Sequence, residues 1–266
     1  MRDRFGRAID YLRVSVTDRC NLRCRYCPPP MEGSEVPEGR MLSFGEIAEV
    51  AEAAVDLGVR KVRLTGGEPL LRPGLPDLVA MLAAIGGIGD LAMTTNGVLL
   101  RPYAAPLAAA GLRRVNVSLD TVSGARFREM TQGGEVGDVL DGIAAAREAG
   151  LTPVKLNCVV RRSSRERDAQ AVAAFGRREG LEVRFIRQMD AASGSFSVVE
   201  GGAGGDCPRC NRLRLSCDGF VRPCLFSDLG YNVRALGIAR ALRAAVRNKP
   251  ASGGPCEPGA VRRVGG

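Results

Sequence analysis

The feature that most limits the fold is an alternation of short β-rich runs with helical patterns, repeated roughly every 30 residues, the length of a βαβ unit. The predicted strands cover residues 11–17, 61–65, 90–94, 114–119, 153–160 and 182–186. The predicted helices cover residues 43–57, 75–84, 103–110, 136–149 and 167–178, and the first begins with a capping box at Ser43 and Glu46. Six such units predict an α/β fold with a parallel sheet, closed or partly closed, and helices outside it.

Polar residues follow several of these strands at the point where each strand ends. They are Thr65-Gly66-Gly67-Glu68, Thr94-Thr95-Asn96-Gly97, and Ser118 with Asp120. One such loop by itself is typical of a turn. Because ligands of parallel α/β folds bind at the carboxyl ends of the strands, the repetition predicts one shared ligand site.

The alternation stops after Met189, where a different kind of sequence begins. Residues 190–206 are rich in Gly and Ser and predict a linker, and residues 207–266 form a compact segment with its own cysteines. We therefore expect three units, namely a barrel domain over 1–189, the linker over 190–206 and a C-terminal segment over 207–266.

The composition narrows the class of protein. Of 266 residues, 45% are hydrophobic, which is enough for one well-filled core. The N-terminus has no apolar signal region and no run of about 18 apolar residues occurs, so the sequence predicts neither secretion nor a membrane partner. We expect the nine cysteines to be reduced thiols of a cytoplasmic protein, used for metal binding and not as a disulfide scaffold.

The positive charge comes almost entirely from arginine. The net charge is +9, and Lys61, Lys155 and Lys249 are the only lysines among 38 basic residues. Arginine favours bidentate contacts with phosphate, although a solvated basic surface would have the same composition. The chain has no His, which removes most hydrolytic mechanisms and most catalytic zinc sites. It has no Trp and few other aromatic residues, so we expect no nucleic acid partner.

Two groups of three cysteines carry the most specific chemistry. Cys20, Cys24 and Cys27 are spaced C-x3-C-x2-C directly after the first predicted strand. Three such thiolates can hold a 4Fe-4S cluster and leave one iron open, with a structural zinc or unliganded thiols as the alternatives.

The second group is Cys207, Cys210 and Cys224, which also predicts a cluster with an open iron. Zinc is a stronger alternative here, because Cys217 could complete four sulfurs. The remaining cysteines, Cys158, Cys217 and Cys256, are otherwise predicted to be small apolar fillers.

The first group resembles the signature of the radical S-adenosylmethionine (SAM) superfamily, in which an aromatic residue precedes the last Cys, as Tyr26 does here. The run Gly66-Gly67-Glu68-Pro69 stands at the end of the second predicted strand, where that superfamily has its motif for the methionine amino group. The resemblance implies a partial (β/α)6 TIM-like barrel with a small C-terminal cluster-binding segment.

The second group lies in C-x2-C-N-R-L-R-L followed by R-P-C-L-F-S, which resembles the C-terminal cluster region of the GTP 3',8-cyclase family. That family begins molybdenum cofactor (molybdopterin) biosynthesis. The resemblance covers residues 9–189 and 207–234 and extends to a terminal double glycine, Gly265-Gly266.

Site residues follow from this resemblance. It implies that Cys20, Cys24 and Cys27 hold the first 4Fe-4S cluster, and that Cys207, Cys210 and Cys224 hold the second, whose open iron binds guanine. It implies that SAM contacts Tyr26, Gly67, Ser118 and Met189. It implies that GTP contacts Arg13, Arg63, Thr94, Lys155, Arg212, Leu213 and Arg214. It also gives Arg13, Gly265 and Gly266 a part in catalysis, the double glycine reaching into the active site.

The implied reaction is carried by radicals. The reduced first cluster cleaves SAM, the 5'-deoxyadenosyl radical removes the ribose 3' hydrogen of GTP, and the carbon radical adds to C8 of guanine. Because no Walker phosphate loop is present, Arg and Lys side chains would have to hold the triphosphate. The implied partners are a flavodoxin or ferredoxin reductant, a downstream cyclic pyranopterin monophosphate synthase, and a second copy of the chain in a homodimer.

One departure from the family leaves alternatives open. The family carries some tens of residues between the methionine of R-F-I-x-x-M and the second cluster, whereas only 190–206 separate them here. A radical SAM enzyme acting on another small molecule or peptide is therefore the first alternative. A non-catalytic metal protein that binds RNA through its basic surface is the second.

Overall fold

The computed structural model describes residues 1–27, 35–190, 192–194, 196–257 and 264. Its strands are β1 (Tyr11–Ser15), β2 (Lys61–Thr65), β3 (Asp90–Thr95), β4 (Arg114–Ser118), β5 (Lys155–Val160), β6 (Glu182–Arg187), β7 (Arg212–Leu215), β8 (Phe220–Arg222) and β9 (Tyr231–Asn232). They form one sheet in the order β6-β5-β4-β3-β2-β1-β7-β8-β9. From β6 to β7 every pairing is parallel, and β8 and β9 pair antiparallel. The predicted parallel α/β sheet is confirmed, in its open form.

The helices are α1 (Phe44–Asp56), α2 (Leu75–Ala83), α3 (Leu100–Ala109), α4 (Gly124–Thr131), α5 (Val136–Glu148), α6 (Arg167–Glu179), α7 (Val233–Leu236) and α8 (Ile238–Arg247). All six predicted strands and all five predicted helices are found, with ends shifted by a few residues at most. The capping box is confirmed, since Ser43 Oγ accepts from the Glu46 amide and the Glu46 carboxylate accepts from the Ser43 amide. Within the described residues, no helix combines the length and the apolar character needed to cross a membrane.

The strands of the parallel sheet have one apolar and one polar face. On β1, Leu12 and Val14 are fully buried in the core, and they alternate with Tyr11 and Arg13. Because successive side chains of a strand point to opposite faces, the apolar positions lie on the helix side and the polar ones on the other. The polar face therefore belongs to the concave side of the sheet, where a ligand of this fold would lie.

The segment after the linker continues the same sheet. Strand β7 pairs in parallel with β1 over Tyr11 to Val14, although most of the chain separates the two strands. The linker bridges the two ends of the parallel array: Glu200 exchanges backbone hydrogen bonds with Phe185 on β6, and Arg212 on β7 donates to the Ala203 carbonyl (3.1 Å). The short linker is thus long enough to bring the second cysteine group beside β1. The predicted division into three units stays a prediction.

Candidate functional site

Three arginines form a row across the polar face of the sheet. Arg13 on β1 is in register with Arg63 on β2 and with Arg214 on β7. Arg13 donates to Thr65 Oγ1 (3.4 Å), which places it just below the polar loop that follows β2. The sheet therefore converts three positions far apart in sequence into one continuous cationic surface, which we call the arginine row.

The arginine row is held at a cost in free energy. Burial, followed by the charge of Arg214, lowers the pKa of Arg13 to about 9. Burial also lowers the pKa of Arg63 and of Arg214 to about 10 each. Since a nearby anion stabilises a buried cation, the row is suited to a ligand with several negative charges.

Tyr11 lies between two guanidinium groups on the same face. The guanidinium carbon of Arg63 is 5.6 Å from the ring centroid, and that of Arg212 is 5.5 Å from it. Such cation–π contacts fix the direction of both side chains. Tyr11 was not selected from the sequence; its position two residues before Arg13 on the same strand is the signal that could have found it.

Next to the arginine row, buried polar atoms face the concave side with no partner within the described part of the chain. They are Arg63 Nε, Thr94 Oγ1 and Asn116 Nδ2. Thr94 and Asn116 are in register on β3 and β4. Buried polar groups are normally hydrogen-bonded, so these atoms mark places where a ligand or water is expected.

Lys155 and Arg184 extend the positive charge along β5 and β6, but both are already paired. Lys155 Nζ lies 2.5 Å from a Glu182 carboxylate oxygen, and Arg184 lies 2.7 Å from the other. A ligand that uses Lys155 must therefore compete with Glu182. Arg184 is a further cation at this site that the sequence did not single out.

The loop that carries the first cysteine group is fixed to its surroundings by backbone bonds. Arg23 and Arg25 donate from their amides to the carbonyls of Thr131 and Met130 at the end of α4 (2.8 and 2.9 Å). Cys20 and Cys24 are half-buried and Cys27 is exposed. Burial, followed by the charge of Asp120, raises the pKa of Cys24 to about 12. A bound cation is therefore needed to stabilise the thiolate form of Cys24.

The turn Gly66-Gly67-Glu68 packs directly under the cysteine loop. The amide of Gly67 donates to Thr17 O and that of Glu68 to Arg19 O (2.8 Å each). A Cβ at Gly67 would collide with the Arg19 carbonyl, so only glycine permits this approach. The predicted polar loop after β2 is thereby joined to the first cysteine group.

Glu68 is the buried centre of this joint. It is 0% exposed and accepts from Thr95 Oγ1 (2.8 Å) and from the amides of Asn96 (2.7 Å) and Leu70 (3.1 Å). Burial raises the pKa of Glu68 to about 7, although each of these hydrogen bonds acts to lower it. Glu68 therefore connects the carboxyl ends of β2 and β3.

Tyr26 and Ser118 lie at one opening beside the cysteine loop. The Tyr26 hydroxyl donates to Asp120 Oδ2 (2.6 Å), and Asp120 Oδ1 accepts from the Val159 amide (2.7 Å). Ser118 lines a small pocket with Cys24 and Tyr26. A larger cavity of about 270 Å³ adjoins it, lined by Tyr26, Asp120 and Gln188 among others. Met189 instead packs beside Leu225 and Phe226 in a second apolar cluster.

The second cysteine group surrounds a cavity of about 310 Å³. Its lining includes Cys207, Cys210, Cys224, Arg212, Arg214 and Lys249. Burial raises the pKa of Cys210, but the charge of Lys249 and a hydrogen bond from the Arg212 amide outweigh it, so the pKa is lowered. Leu213, between the two arginines, is fully buried in the main core. The cavity meets the arginine row through Arg214.

The other three cysteines are buried and are not part of this cavity's lining. Cys217 is 1% exposed and packs with Val36 and Met41. Cys158 is buried in the main core and Cys256 in the cluster with Leu225 and Phe226. Of the predicted catalytic tail, Gly265 and Gly266 lie outside the described residues, whereas Val264 is buried and its carbonyl accepts from Arg214 (3.4 Å).

The comparisons with known proteins agree on one family. The model of the radical SAM superfamily matches residues 14–175. A GTP 3',8-cyclase of Thermodesulfovibrio yellowstonii is 40% identical over 283 residues, covering 89% of this chain and 88% of that protein. A GTP 3',8-cyclase of Moorella thermoacetica is 38% identical over 327 residues, covering 100% of both chains. The chain belongs to the GTP 3',8-cyclase family of radical SAM proteins. Its cofactors are therefore 4Fe-4S clusters and SAM.

Solved structures show the same fold at low sequence identity. Native anSMEcpe with bound AdoMet and Kp18Cys peptide aligns with a TM-score of 0.62 and 16% identity, covering 91% of this chain and 81% of that one. SuiB of Streptococcus suis aligns with a TM-score of 0.62 and 15% identity, covering 92% and 67%. The predicted partial TIM-like barrel of the radical SAM type is confirmed.

The residues present fit two iron-sulfur clusters. Both groups offer three thiols and no competing His, and the Cys20 sulfur already receives amide hydrogen bonds from Leu22 (3.4 Å) and Asn96 (3.9 Å), as cluster sulfurs commonly do. Within the described ranges, no three His, Cys, Asp or Glu side chains converge closely enough for a single metal ion. Thiolates of a 4Fe-4S cluster bind different irons and need not converge on one point.

Proposed function

We propose that the concave face binds GTP and that the chain converts it to (8S)-3',8-cyclo-7,8-dihydroguanosine 5'-triphosphate, in molybdenum cofactor biosynthesis. The observation that carries this proposal is the arginine row, which lies between two three-cysteine groups. A polyanion bound there would sit within reach of both groups. The family of the chain supplies the identity of that polyanion.

In this proposal the arginine row binds the triphosphate. Burial lowers the pKa of Arg13 and of Arg63, and a phosphate anion bound beside them would offset part of the cost of burying their charge. Lys155 joins them when Glu182 releases it, and Thr94 offers its unpartnered hydroxyl. The binding energy of these contacts would orient the ribose, although these side chains take no chemical part in its reaction.

The guanine end is assigned to the β7 side. Arg212 and Arg214 line the cavity of the second cysteine group, and the backbone of Leu213 lies between them. Cys207, Cys210 and Cys224 would hold the second cluster there. The tail would approach the same place, since Val264 is bonded to Arg214 and precedes Gly265 and Gly266.

The SAM end is assigned to the first cysteine group. Cys20, Cys24 and Cys27 would hold the first cluster, and Tyr26, Gly67 and Ser118 lie around it. Met189 would have to turn from its packing beside Phe226 to contact SAM. When bound, the first cluster and SAM supply the 5'-deoxyadenosyl radical that removes the ribose 3' hydrogen. The chain's own residues hold the ribose in position and exclude water from the radical.

The partners follow from the same proposal. An electron must reach the first cluster, for which we propose a flavodoxin or ferredoxin. A cyclic pyranopterin monophosphate synthase would take the product, and two copies of the chain would form a homodimer. We propose a cytoplasmic location for these steps.

The test is anaerobic turnover of the iron-reconstituted protein with dithionite, SAM and GTP, followed by chromatography and mass spectrometry. We expect 5'-deoxyadenosine and the cyclised triphosphate from the wild type and neither from Cys24→Ala. Arg212→Ala should still cleave SAM but bind GTP about 10- to 100-fold more weakly, the worth of one charge-assisted contact. The matched control is Arg101→Ala, because the Arg101 side chain is 64% exposed on α3. Release of 5'-deoxyadenosine with GTP left intact would overturn GTP as the substrate.

A further inference from the structure

Lys249 is a buried cation at the second cysteine group. It follows α8, is 2% exposed and lines the cavity together with Cys207, Cys210 and Cys224. Its Nζ donates to the carbonyls of Arg212 (2.7 Å) and Pro223 (2.6 Å). A lysine is rarely buried this completely, so its position calls for a physical reason.

The two carbonyls belong to the segments that carry two of the cysteines. Arg212 is two residues after Cys210, and Pro223 directly precedes Cys224. One ammonium group therefore ties both segments together at the wall of the cavity. The third cysteine is tied to the same region by Arg7, which donates to Cys207 O (2.8 Å) and to Pro250 O (2.6 Å), next to Lys249.

The two cations differ in how their charge is balanced. Arg7 forms a buried ion pair with Asp3 (2.6 Å), so its charge is neutralised by the protein. Lys249 has no carboxylate partner in the part of the chain that the structure describes, and its Nζ donates to two neutral carbonyls and to the Cys210 sulfur. A buried charge of this kind needs an anion, and the cysteine sulfurs of the cavity are the anions at hand.

We propose that Lys249 is a positioning residue for the second cluster, holding the segments of Cys210 and Cys224 in place and setting its positive charge beside the cluster. This inference rests on the part of the proposed function that places a cluster at the second cysteine group. A fixed positive charge stabilises the more negative, reduced form of a cluster, so Lys249 raises its reduction potential. Arg7 holds the segment of Cys207 through geometry alone, because Asp3 already neutralises its charge.

The test is an anaerobic redox titration, followed by electron paramagnetic resonance, of full-length protein carrying Cys20→Ala, Cys24→Ala and Cys27→Ala. In that background only the second cluster is loaded, and neither SAM nor GTP is needed. Lys249→Gln should shift the reduction equilibrium about tenfold towards the oxidised form, or about 59 mV for one electron. Lys249→Arg should restore most of the shift. Arg243→Gln removes an exposed charge from α8 and should leave the potential unchanged.

An equal midpoint in Lys249→Gln and Arg243→Gln would overturn the inference. If Lys249→Gln loses its iron, iron content becomes the readout: retention in Lys249→Arg supports the inference, and equal loss in Lys249→Arg overturns it. The proposed function fails separately, since a wild type that does not consume GTP would refute the cyclase activity and leave the midpoint comparison intact.

Discussion

Replacing Arg13 by glutamine should stabilise the apo protein and weaken GTP binding, because the arginine row is unfavourable for folding and favourable for binding the ligand. Burial lowers the pKa of Arg13 well below its usual value, to about 9, and at about 1.36 kcal/mol per pKa unit this corresponds to about 5 kcal/mol of unfavourable environment for the charge. Water in the open concave face screens part of it, so we expect the apo variant to gain about 1–3 kcal/mol in free energy of unfolding. Loss of one buried phosphate contact should cost about 2–4 kcal/mol of binding, or roughly 30- to 1,000-fold in the Kd for GTP.

The assay pairs denaturant unfolding of the apo protein with calorimetric titration of GTP. Arg101→Gln makes the same chemical change at an exposed position and should alter neither quantity by more than about 0.5 kcal/mol. A less stable Arg13→Gln variant that binds GTP as tightly as the wild type would refute the reasoning, because the row would then be a structural element and no ligand site.

Two further changes test the joint below the first cysteine loop. Burial raises the pKa of Glu68 from 4.5 to about 7, so the folded apo protein keeps a proton that the unfolded chain loses, and stability falls as pH rises through that window. Relative to Glu68→Gln, the wild type should lose about 3 kcal/mol between pH 4.5 and pH 7, measured by urea unfolding; parallel pH profiles would contradict this. Tyr26→Phe removes the donor to Asp120 Oδ2 and should lower the free energy of unfolding of the apo protein by about 1–3 kcal/mol, and an unchanged urea midpoint would show that the bond contributes nothing.

Six of the nine strands and five of the eight helices in the described residues could be predicted, because their signals are local. The alternation of Leu12 and Val14 with Arg13 already assigns β1 and its buried face. Helix α4 was not predicted, because only Phe127 and Thr131 are buried on it and its sequence shows almost no helical periodicity of apolar residues. Helix α8 has a clear apolar face with Leu242 and Val246, but residues 207–266 were predicted only as a compact segment, without helices or strands of their own.

Only the parts of the site that carry sequence motifs could be predicted. The two cysteine groups and their neighbours were found from spacing and family resemblance. The arginine row required the insertion of β7 beside β1, a pairing between distant segments that no local pattern specifies. Lys249 and Tyr11 were not found as site residues for the same reason: each acquires its partners only when separate strands come together.

The length of the linker now has a structural account. The alignment with the Moorella thermoacetica relative runs over 327 positions, whereas this chain has 266 residues, so part of the relative has no counterpart here. Glu200 nevertheless bonds to β6 and Ala203 to β7, which closes the distance between the barrel and the second cysteine group. The shortened linker is therefore compatible with both cysteine groups facing one ligand site.

In the proposed reaction, a radical formed at the first cysteine group attacks the ribose of GTP held by the arginine row. Anaerobic turnover with GTP deuterated at the ribose 3' position, with 5'-deoxyadenosine analysed by mass spectrometry, tests this step. We expect deuterium in the 5'-deoxyadenosine, together with a cyclised product that has lost it. Unlabelled 5'-deoxyadenosine beside intact GTP would show that the radical does not attack the ribose of GTP.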